Sequence, residues 1–268
     1  MQDLSLIING VRLHCTARGA GKPVVLVHGL GGPLMWKQLT PLLEKDFRVV
    51  VIDLPGFGQS AKPAASYTIE YFTRFLKAIL RELKIERSIL VGVSLGGRIS
   101  AELALASSNS VERLVLISST GLSGSAPALR RQVLWTAFRF VADKLVLRSP
   151  TLICKLAERS FYDLSSRPAD LCAEMFEQMS EPGGREAWLA SFRTTITRDA
   201  MFATRLPSLS IPTLVVWGER DRAVPIENAY AFCRLIPNSW LVFLPACAHS
   251  VPLEKPHELA RAIRTFVT

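Results

Sequence analysis

The apolar residues of this chain recur in short blocks. Blocks of four to six apolar and often β-branched residues are bounded by glycine, proline or polar residues. Such blocks are typical of strands that are buried on both faces, as in a parallel sheet. The pattern predicts six strands, at residues 24–27, 49–52, 89–93, 114–117, 213–217 and 240–244.

Segments with helical spacing of their apolar residues lie between these blocks. Residues 69–83 place Phe72, Leu76 and Ile79 on one face, which predicts an amphipathic helix. Residues 98–106 follow a glycine-rich turn, and residues 256–267 form a C-terminal helix in this interpretation. Alternating strands and helices predict the α/β class, with a mostly parallel central sheet flanked by helices.

The alternation stops between Gly121 and about Leu206, where the sequence becomes helix-like and rich in arginine and large apolar residues. We interpret this segment as a helical cap over the carboxyl ends of the strands, where open α/β sheets bind their ligands. The predicted domains are a core of residues 1–121 and 207–268 and a cap of residues 122–206, with residues 121–127 as the hinge.

A candidate nucleophile follows the third predicted strand. Gly92, Val93, Ser94, Leu95 and Gly96 form the pattern G-x-S-x-G between a buried strand and a helix. In this context the pattern predicts a sharp turn that exposes the serine hydroxyl at the helix N-terminus. The backbone N–H of Leu95 would then donate to the oxyanion that forms during acyl transfer.

A second oxyanion donor is predicted at the end of the first predicted strand, where residues 28–32 read HGLGG. Its glycines allow the backbone to approach the nucleophile, so that the N–H of Leu30 pairs with that of Leu95. His28 is a possible base, but we favour a role in bracing this loop by hydrogen bonds.

The catalytic base and its orienting acid are predicted on the loops after the last two strands. His249 follows residues 240–244, whereas His257 opens the terminal helix and is expected at the surface. Glu219 and Asp221 both follow residues 213–217, and Asp221 is favoured because it lies deeper in its loop. Neutral imidazole is suited to accept the serine proton, and a buried carboxylate fixes its tautomer.

Charge and composition exclude several classes of function. The 268 residues contain 32 Lys and Arg against 23 Asp and Glu, a formal charge of +9. The basic residues are scattered and never form a block of five, so we expect no nucleic-acid partner. The N-terminus lacks the features of a secretory signal, and no apolar stretch of about 18 residues predicts membrane insertion.

The cysteines indicate neither a metal site nor a disulfide framework. They are five in number, widely separated and without a CxxC pair, which excludes zinc-knuckle spacing. We therefore expect a fold that needs no disulfide, a reducing compartment and a cytoplasmic location. The five positions are Cys15, Cys154, Cys172, Cys233 and Cys247.

In order along the chain, the motifs HGLGG, DLPGFGQS (residues 53–60), GVSLGG, WGERD and AHSVPLEKP closely resemble those of the α/β-hydrolase superfamily, in its capped serine esterase or lipase-like branch. The resemblance covers residues 1–121 and 207–268. It implies an eight-stranded, mostly parallel sheet with an inserted helical cap, no cofactor, no metal and the Ser94, Asp221 and His249 triad.

Branches of the superfamily differ at single residues. A serine at position 94 distinguishes the chain from haloalkane dehalogenases and epoxide hydrolases, which have an aspartate nucleophile. Carbon–carbon bond hydrolases of ring-fission products usually have an aromatic residue after the catalytic histidine and a cap arginine. Here Ser250 follows His249, although Arg193 or Arg198 could anchor a carboxylate.

The expected substrate is a small molecule, a moderately hydrophobic carboxylic ester, because the cap is rich in Phe, Met and Trp. Candidate substrate contacts are Trp135, Phe138 and Arg193. The basic and apolar residues 130–148 are expected to form an ordinary cap helix packed on the core, with lipid contact as the alternative. Lactone, thioester, carbon–carbon and haloperoxidase-like chemistry remain open, as does a non-catalytic small-molecule receptor on the same fold.

Overall fold

A computed structural model describes residues 2–122, 141–143, 145–197 and 199–268. Its centre is one eight-stranded sheet in the order β1-β2-β4-β3-β5-β6-β7-β8, in which only β2 runs antiparallel to its neighbours. The six predicted strands are all present. The strands are β1 (Gln2–Ile8), β2 (Val11–Arg18), β3 (Pro23–Val27), β4 (Arg48–Ile52), β5 (Ser88–Val93), β6 (Val111–Ile117), β7 (Thr213–Gly218) and β8 (Ser239–Leu244).

The block pattern missed the N-terminal hairpin of β1 and β2. β1 is an edge strand in which exposed and half-buried residues alternate after its first residue, and β2 contains polar residues, so neither strand is a continuous apolar block. Asn9 and Gly10 connect them with φ angles of 51° and 77°. Asn-Gly is the preferred pair for a two-residue turn of this kind.

The order of strands creates a crevice at one edge of the sheet. From β3 the chain passes to β4 on one side of β3, and later to β5 on the other side. Connections that leave in opposite directions open a space at the carboxyl ends of β3 and β5, and ligands of open α/β sheets bind at such points. The two predicted glycine-rich loops, residues 28–32 and 92–97, both emerge there.

Helices cover both faces of the sheet. Successive residues of β3 point to opposite faces, so Val25 belongs to one apolar layer and Leu26 to the other. The first layer contains buried residues of α2 (Ile69–Glu82), α3 (Leu95–Ala106) and α8 (Glu227–Leu235), and the second those of α1 (Thr40–Leu43) and α10 (Pro256–Val267). Thr68 caps α2 by accepting the N–H of Tyr71.

The chain between β6 and β7 is helical where it is described. Its helices are α4 (Pro150–Glu158), α5 (Leu171–Ser180), α6 (Gly184–Ile196) and α7 (Ala200–Arg205). Residues 123–140, which include most of the predicted hinge and much of the basic segment 130–148, lie outside the described residues. Within the described ranges, no helix has the length and apolar character needed to cross a bilayer.

One pair of cysteines forms a disulfide, which the sequence analysis did not predict. Cys154 on α4 and Cys172 on α5 are joined, with their Cα atoms 5.0 Å apart. The spacing of 18 residues gave no indication of this pair, because it becomes adjacent only when the two helices pack side by side. Cys15, Cys233 and Cys247 are free thiols.

His14 makes the stability of the fold depend on pH. Its Nδ1 lies 2.9 Å from Oδ2 of the buried Asp53. This hydrogen bond raises the pKa of His14 above its ordinary value of 6.5, although burial opposes the shift. A group with a raised pKa in the folded state stabilises the protein fully below its unfolded pKa, and that contribution is lost as the pH rises through the folded pKa.

We therefore expect His14→Gln to lower the free energy of unfolding more at pH 5.5 than at pH 9. Urea unfolding of wild type and variant at the two pH values measures the difference. His257→Gln, at an exposed position of α10, is the matched control and should show no comparable pH dependence. An equal deficit of His14→Gln at both pH values would contradict the assignment.

Candidate active site

Ser94 occupies a strained turn between β5 and α3. Its φ and ψ angles are 55° and −118°, a conformation that is costly for a residue with a side chain. The end of β6 holds it there: the N–H of Ser94 donates to the carbonyl of Ile117, and the N–H of Thr120 donates to the carbonyl of Ser94. The turn thus places the serine at the N-terminus of α3, as predicted for a nucleophile.

The glycines beside Ser94 are required by close backbone contacts. A Cβ atom on Gly92 would lie 2.4 Å from the carbonyl oxygen of Gly96, and one on Gly96 would lie 2.0 Å from the carbonyl oxygen of Val27. Neither distance is possible for a real side chain. The spacing G-x-S-x-G therefore has a steric cause in this structure.

The loop of residues 28–32 packs directly against the serine. A Cβ atom on Gly29 would lie 2.9 Å from Cβ of Ser94 and 3.5 Å from its Oγ. Leu30 follows Gly29 in the loop, and Leu95 opens α3, where the first N–H groups have no partner within the helix. The oxyanion hole formed by the N–H groups of Leu30 and Leu95 stays a prediction, and it would lie between these two segments.

His28 braces that loop. It is fully buried, and its Nε2 accepts the backbone N–H of Leu54 at 3.0 Å. The proton therefore resides on Nδ1, which donates to the carbonyl oxygen of Gly29 at 2.7 Å. Burial lowers the pKa of His28, so the neutral ring is favoured. With both ring nitrogens occupied, this histidine is not available as the catalytic base.

Asp221 and His249 are paired on the loops after β7 and β8. Nδ1 of His249 lies 2.8 Å from Oδ2 of Asp221, whose side chain has no exposed surface. Oδ1 of Asp221 accepts the N–H groups of Ala223 and Val224 at 2.8 and 2.9 Å. Burial raises the pKa of Asp221, but the interaction with His249 and further hydrogen bonds, including that from the N–H of Val224, together outweigh it and the net pKa is lowered. The carboxylate is thus oriented to hold one tautomer of the imidazole.

The loop that carries His249 is fixed against the end of β7. The N–H of Arg220 donates to the carbonyl of Cys247 at 2.9 Å. A Cβ atom on Gly218 would lie 2.1 Å from the carbonyl oxygen of Ala248, so the two loops approach as closely as a glycine permits. These contacts place Asp221 and His249 side by side, whereas Glu219 is exposed.

Ser94 and His249 line one cavity of about 830 Å³ between the core and the cap. Among the described residues no hydrogen bond joins the two side chains. In hydrolases such bonds are often long or absent until substrate binds. Apolar side chains dominate the described lining: Leu30, Met35, Val93, Leu156, Ala157, Phe161, Leu171, Met175, Trp188, Phe192, Ile196 and Val224.

Two of the predicted substrate contacts, Trp135 and Phe138, lie outside the described residues, as does Arg198. The structure does not place the third contact, Arg193, in the cavity of Ser94. Arg193 lines a second cavity of about 730 Å³, which shares Thr120 and Thr195 with the first. The reason is helical phase: Trp188 and Phe192 are four residues apart and face Ser94, whereas Arg193 is rotated by a further 100°.

Sequence reasoning missed several residues of the cavity. Met35 follows the HGLGG loop, Leu156 lies near the end of α4, and Phe161 follows that helix. The apolar composition of the cap suggested an apolar site, but only the packing of α4 on the core identifies these positions. No cluster of side chains suited to bind a metal ion occurs in the described ranges.

Comparisons with known proteins agree with this architecture. Residues 22–256 match the family model of the alpha/beta hydrolase fold. The 2-hydroxy-6-oxo-6-(2'-aminophenyl)hexa-2,4-dienoic acid hydrolase of Metapseudomonas resinovorans is 28% identical over 97% of this chain and 88% of its own length. The 2-hydroxy-6-oxononadienedioate/2-hydroxy-6-oxononatrienedioate hydrolase of Cupriavidus pinatubonensis is 30% identical over 96% of this chain and 90% of its own length.

A solved structure aligns with almost the full length of this chain. It is that of a serine hydrolase involved in carbazole degradation, the CarC enzyme, with a TM-score of 0.83 and 26% identity over 99% of this chain and 98% of its own. The relatives therefore match core and inserted segment together. The eight-stranded sheet, its flanking helices and these matches show that the chain belongs to the α/β-hydrolase fold family, whose members named here are hydrolases.

Proposed function

We propose that this chain is a serine hydrolase in which Ser94 is the nucleophile, His249 the general base and Asp221 the residue that orients it. The observation that carries the proposal is the combination of a strained Ser94 with the paired His249 and Asp221 at one cavity. A serine is a weak nucleophile unless an adjacent base accepts its proton. The buried carboxylate holds that base in the tautomer it needs.

The reaction proceeds through an acyl-enzyme. Oγ of Ser94 attacks the substrate carbonyl while Nε2 of His249 takes its proton. The negative oxygen of the tetrahedral intermediate accepts hydrogen bonds from the N–H groups of Leu30 and Leu95. His249 returns the proton to the leaving alcohol and then activates a water molecule, which attacks the acyl-enzyme and releases the acid.

The cavity favours a moderately hydrophobic ester. Its described lining is mainly apolar, and burying a charged acyl group there would require a paired cation. Arg159 and Arg222 supply the positive charges in that lining, and both are exposed at its solvent side. An uncharged acyl chain therefore suits the interior, beside Phe161 and Met175, better than a carboxylate does.

Carbon–carbon bond hydrolysis is the second candidate. One relative acts on a dienoic acid and another on a dienedioate and a trienedioate, as their names state. A substrate of this type would place its carboxylate near Arg159 or Arg222, at the exposed end of the cavity. The same Ser94 and His249 would serve, because the attacked group is again a carbonyl.

A panel of p-nitrophenyl esters of increasing acyl length, assayed beside a vinylogous 1,5-diketone, tests the ester proposal. We expect kcat/KM to rise about two- to fourfold per added CH2 while the cavity accommodates the chain, since a buried CH2 is worth about 0.8 kcal/mol. Met175→Trp narrows the cavity and should lower kcat/KM for the hexanoate at least about tenfold more than for the acetate.

Met201→Trp is the matched control for this substitution. Met201 is 65% exposed on α7, so the larger side chain should leave kcat/KM unchanged for both the acetate and the hexanoate. Cleavage of the diketone with no measurable ester turnover would favour the second candidate. Equal effects of Met175→Trp on acetate and hexanoate would contradict the assignment of the acyl site.

A further inference from the structure

One carboxylate outside the triad joins the loop of His249 to the cap. Glu254 ends α9 (Val251–Glu254), the short helix that follows this loop. Its Oε1 accepts the N–H of Ala248, the residue before His249, at 2.9 Å. Its Oε2 accepts the N–H groups of Tyr162 and Asp163 at 2.6 and 3.3 Å. Residues 160–163, called here the cap strap, thus share one side chain with the histidine loop.

A second bond links the cap strap to the other side of His249. The N–H of Ser250 donates to the carbonyl of Ser160 at 2.9 Å. The residues directly before and after His249 are therefore both tied to the strap, one through Glu254 and one through the backbone. Ser160 and Phe161 of the strap line the cavity of Ser94, so the same bonds set the position of the cavity wall.

The contacts of Glu254 require a side chain whose two terminal atoms both accept hydrogen bonds. Three backbone N–H groups converge on the two oxygens of Glu254, and a carboxylate can accept all of them because it carries only acceptors. A glutamine of the same shape would turn an NH2 group toward at least one N–H, so two donors would face each other. Hydrogen bonds to a charged acceptor are also stronger than those to a neutral one.

We propose that Glu254 is a positioning residue for catalysis, which orients His249 relative to Ser94 by fastening the histidine loop to the cap strap. The catalytic part of this inference rests on the proposed function. Asp221 orients the imidazole ring through Nδ1, whereas Glu254 acts on the backbone that carries the ring. The loop is then held from two directions, by β7 on the core side and by the strap on the cap side.

Glu254→Gln tests the proposal, with Glu258→Gln as the matched control at an exposed position of α10. We expect Glu254→Gln to lower kcat for a p-nitrophenyl ester about 10- to 100-fold, since a small misplacement of a catalytic group can have an effect of this size. KM should change less than about threefold. Glu258→Gln should retain wild-type kcat. A folded Glu254→Gln enzyme with kcat within twofold of wild type would overturn the proposal.

Amide hydrogen exchange tests whether Glu254 joins the histidine loop to the cap strap, independently of any enzymatic assay. Amides of residues 160–163 and 247–250 should exchange at least about tenfold faster in Glu254→Gln than in wild type, while those of β5 stay unchanged. Unchanged exchange in the two segments would overturn the proposal whatever the activity. Wild-type protein without Ser94-dependent turnover would instead refute the proposed function, and accelerated exchange would still support the tie.

Glu254→Asp provides a second test in case Glu254→Gln does not fold. The shorter side chain keeps the charge but cannot reach Ala248 and Tyr162 together, so kcat should again fall with little change in KM. Failure of both variants to fold would overturn the proposal, because Glu254 would then be a determinant of stability rather than of the position of His249.

Discussion

Replacing Ser94 by Ala is expected to lower kcat for a p-nitrophenyl ester by about 10⁴- to 10⁶-fold, because loss of the nucleophile removes the acyl-enzyme route. The folded structure should survive, since Ser94 is held by its backbone bonds to Ile117 and Thr120, which alanine keeps. The measurement is steady-state kinetics, with circular dichroism and thermal unfolding to verify the fold. Wild-type protein should also react with a fluorophosphonate at Ser94, and the variant should not.

Ser100→Ala provides the matched control for this prediction. Ser100 is a fully buried serine on α3, six residues after the nucleophile, and its hydroxyl has no hydrogen-bond partner in the described part of the chain. Its loss should leave kcat within about twofold of wild type. Undiminished hydrolysis by Ser94→Ala, or an equal loss in Ser100→Ala, would show that Ser94 is not the nucleophile.

The proposed triad could be placed from the sequence because each member directly follows a strand of a parallel sheet. Buried strands of this kind are visible as apolar blocks, and their carboxyl ends meet at one edge. Ser94, Asp221 and His249 follow β5, β7 and β8; Ser94 and His249 line one cavity, and Asp221 bonds to His249. More than 150 residues separate Ser94 from His249 in the chain, but both follow strands of the same sheet, and this brings them together.

Residues of the cap were harder to place, because helical phase matters there and composition does not reveal it. Trp188, Phe192 and Arg193 all lie on α6, but only the first two face the cavity of Ser94. A shift of one residue along a helix rotates a side chain by about 100°. The apolar character of the site was therefore predictable, whereas the role of Arg193 was not.

Contacts between segments that are distant in the chain could not be predicted from the sequence. Cys154 and Cys172 form a pair only because α4 packs on α5. Glu254 belongs to a motif that resembles those of other hydrolases, but its bonds to Tyr162 and Asp163 depend on where the cap strap lies. The N-terminal hairpin is different, since alternation and the Asn9–Gly10 turn carried a signal that a search for apolar blocks overlooks.

Asp221→Asn is expected to lower kcat about 10⁴-fold, as for other hydrolases in which the orienting carboxylate is neutralised. Asparagine retains the shape and the acceptor for Ala223 and Val224 but loses the negative charge beside His249. An amide NH2 turned toward the ring also favours the tautomer that cannot take the serine proton from Ser94. The loss should appear in kcat rather than in KM, because substrate binding does not use this charge.

Glu219→Gln is the matched control that distinguishes the effects of the two carboxylates of this loop on kcat. Glu219 precedes Asp221 by two residues and is exposed, so neutralising it removes the same charge from the same loop without touching His249. Its kcat should stay within about twofold of wild type, because charges exposed to water interact weakly over such distances. Equal losses of kcat in the two variants would mean that the net negative charge of the loop matters and not the position of one carboxylate. A loss confined to Asp221→Asn would show that the bond between Asp221 and His249 is required.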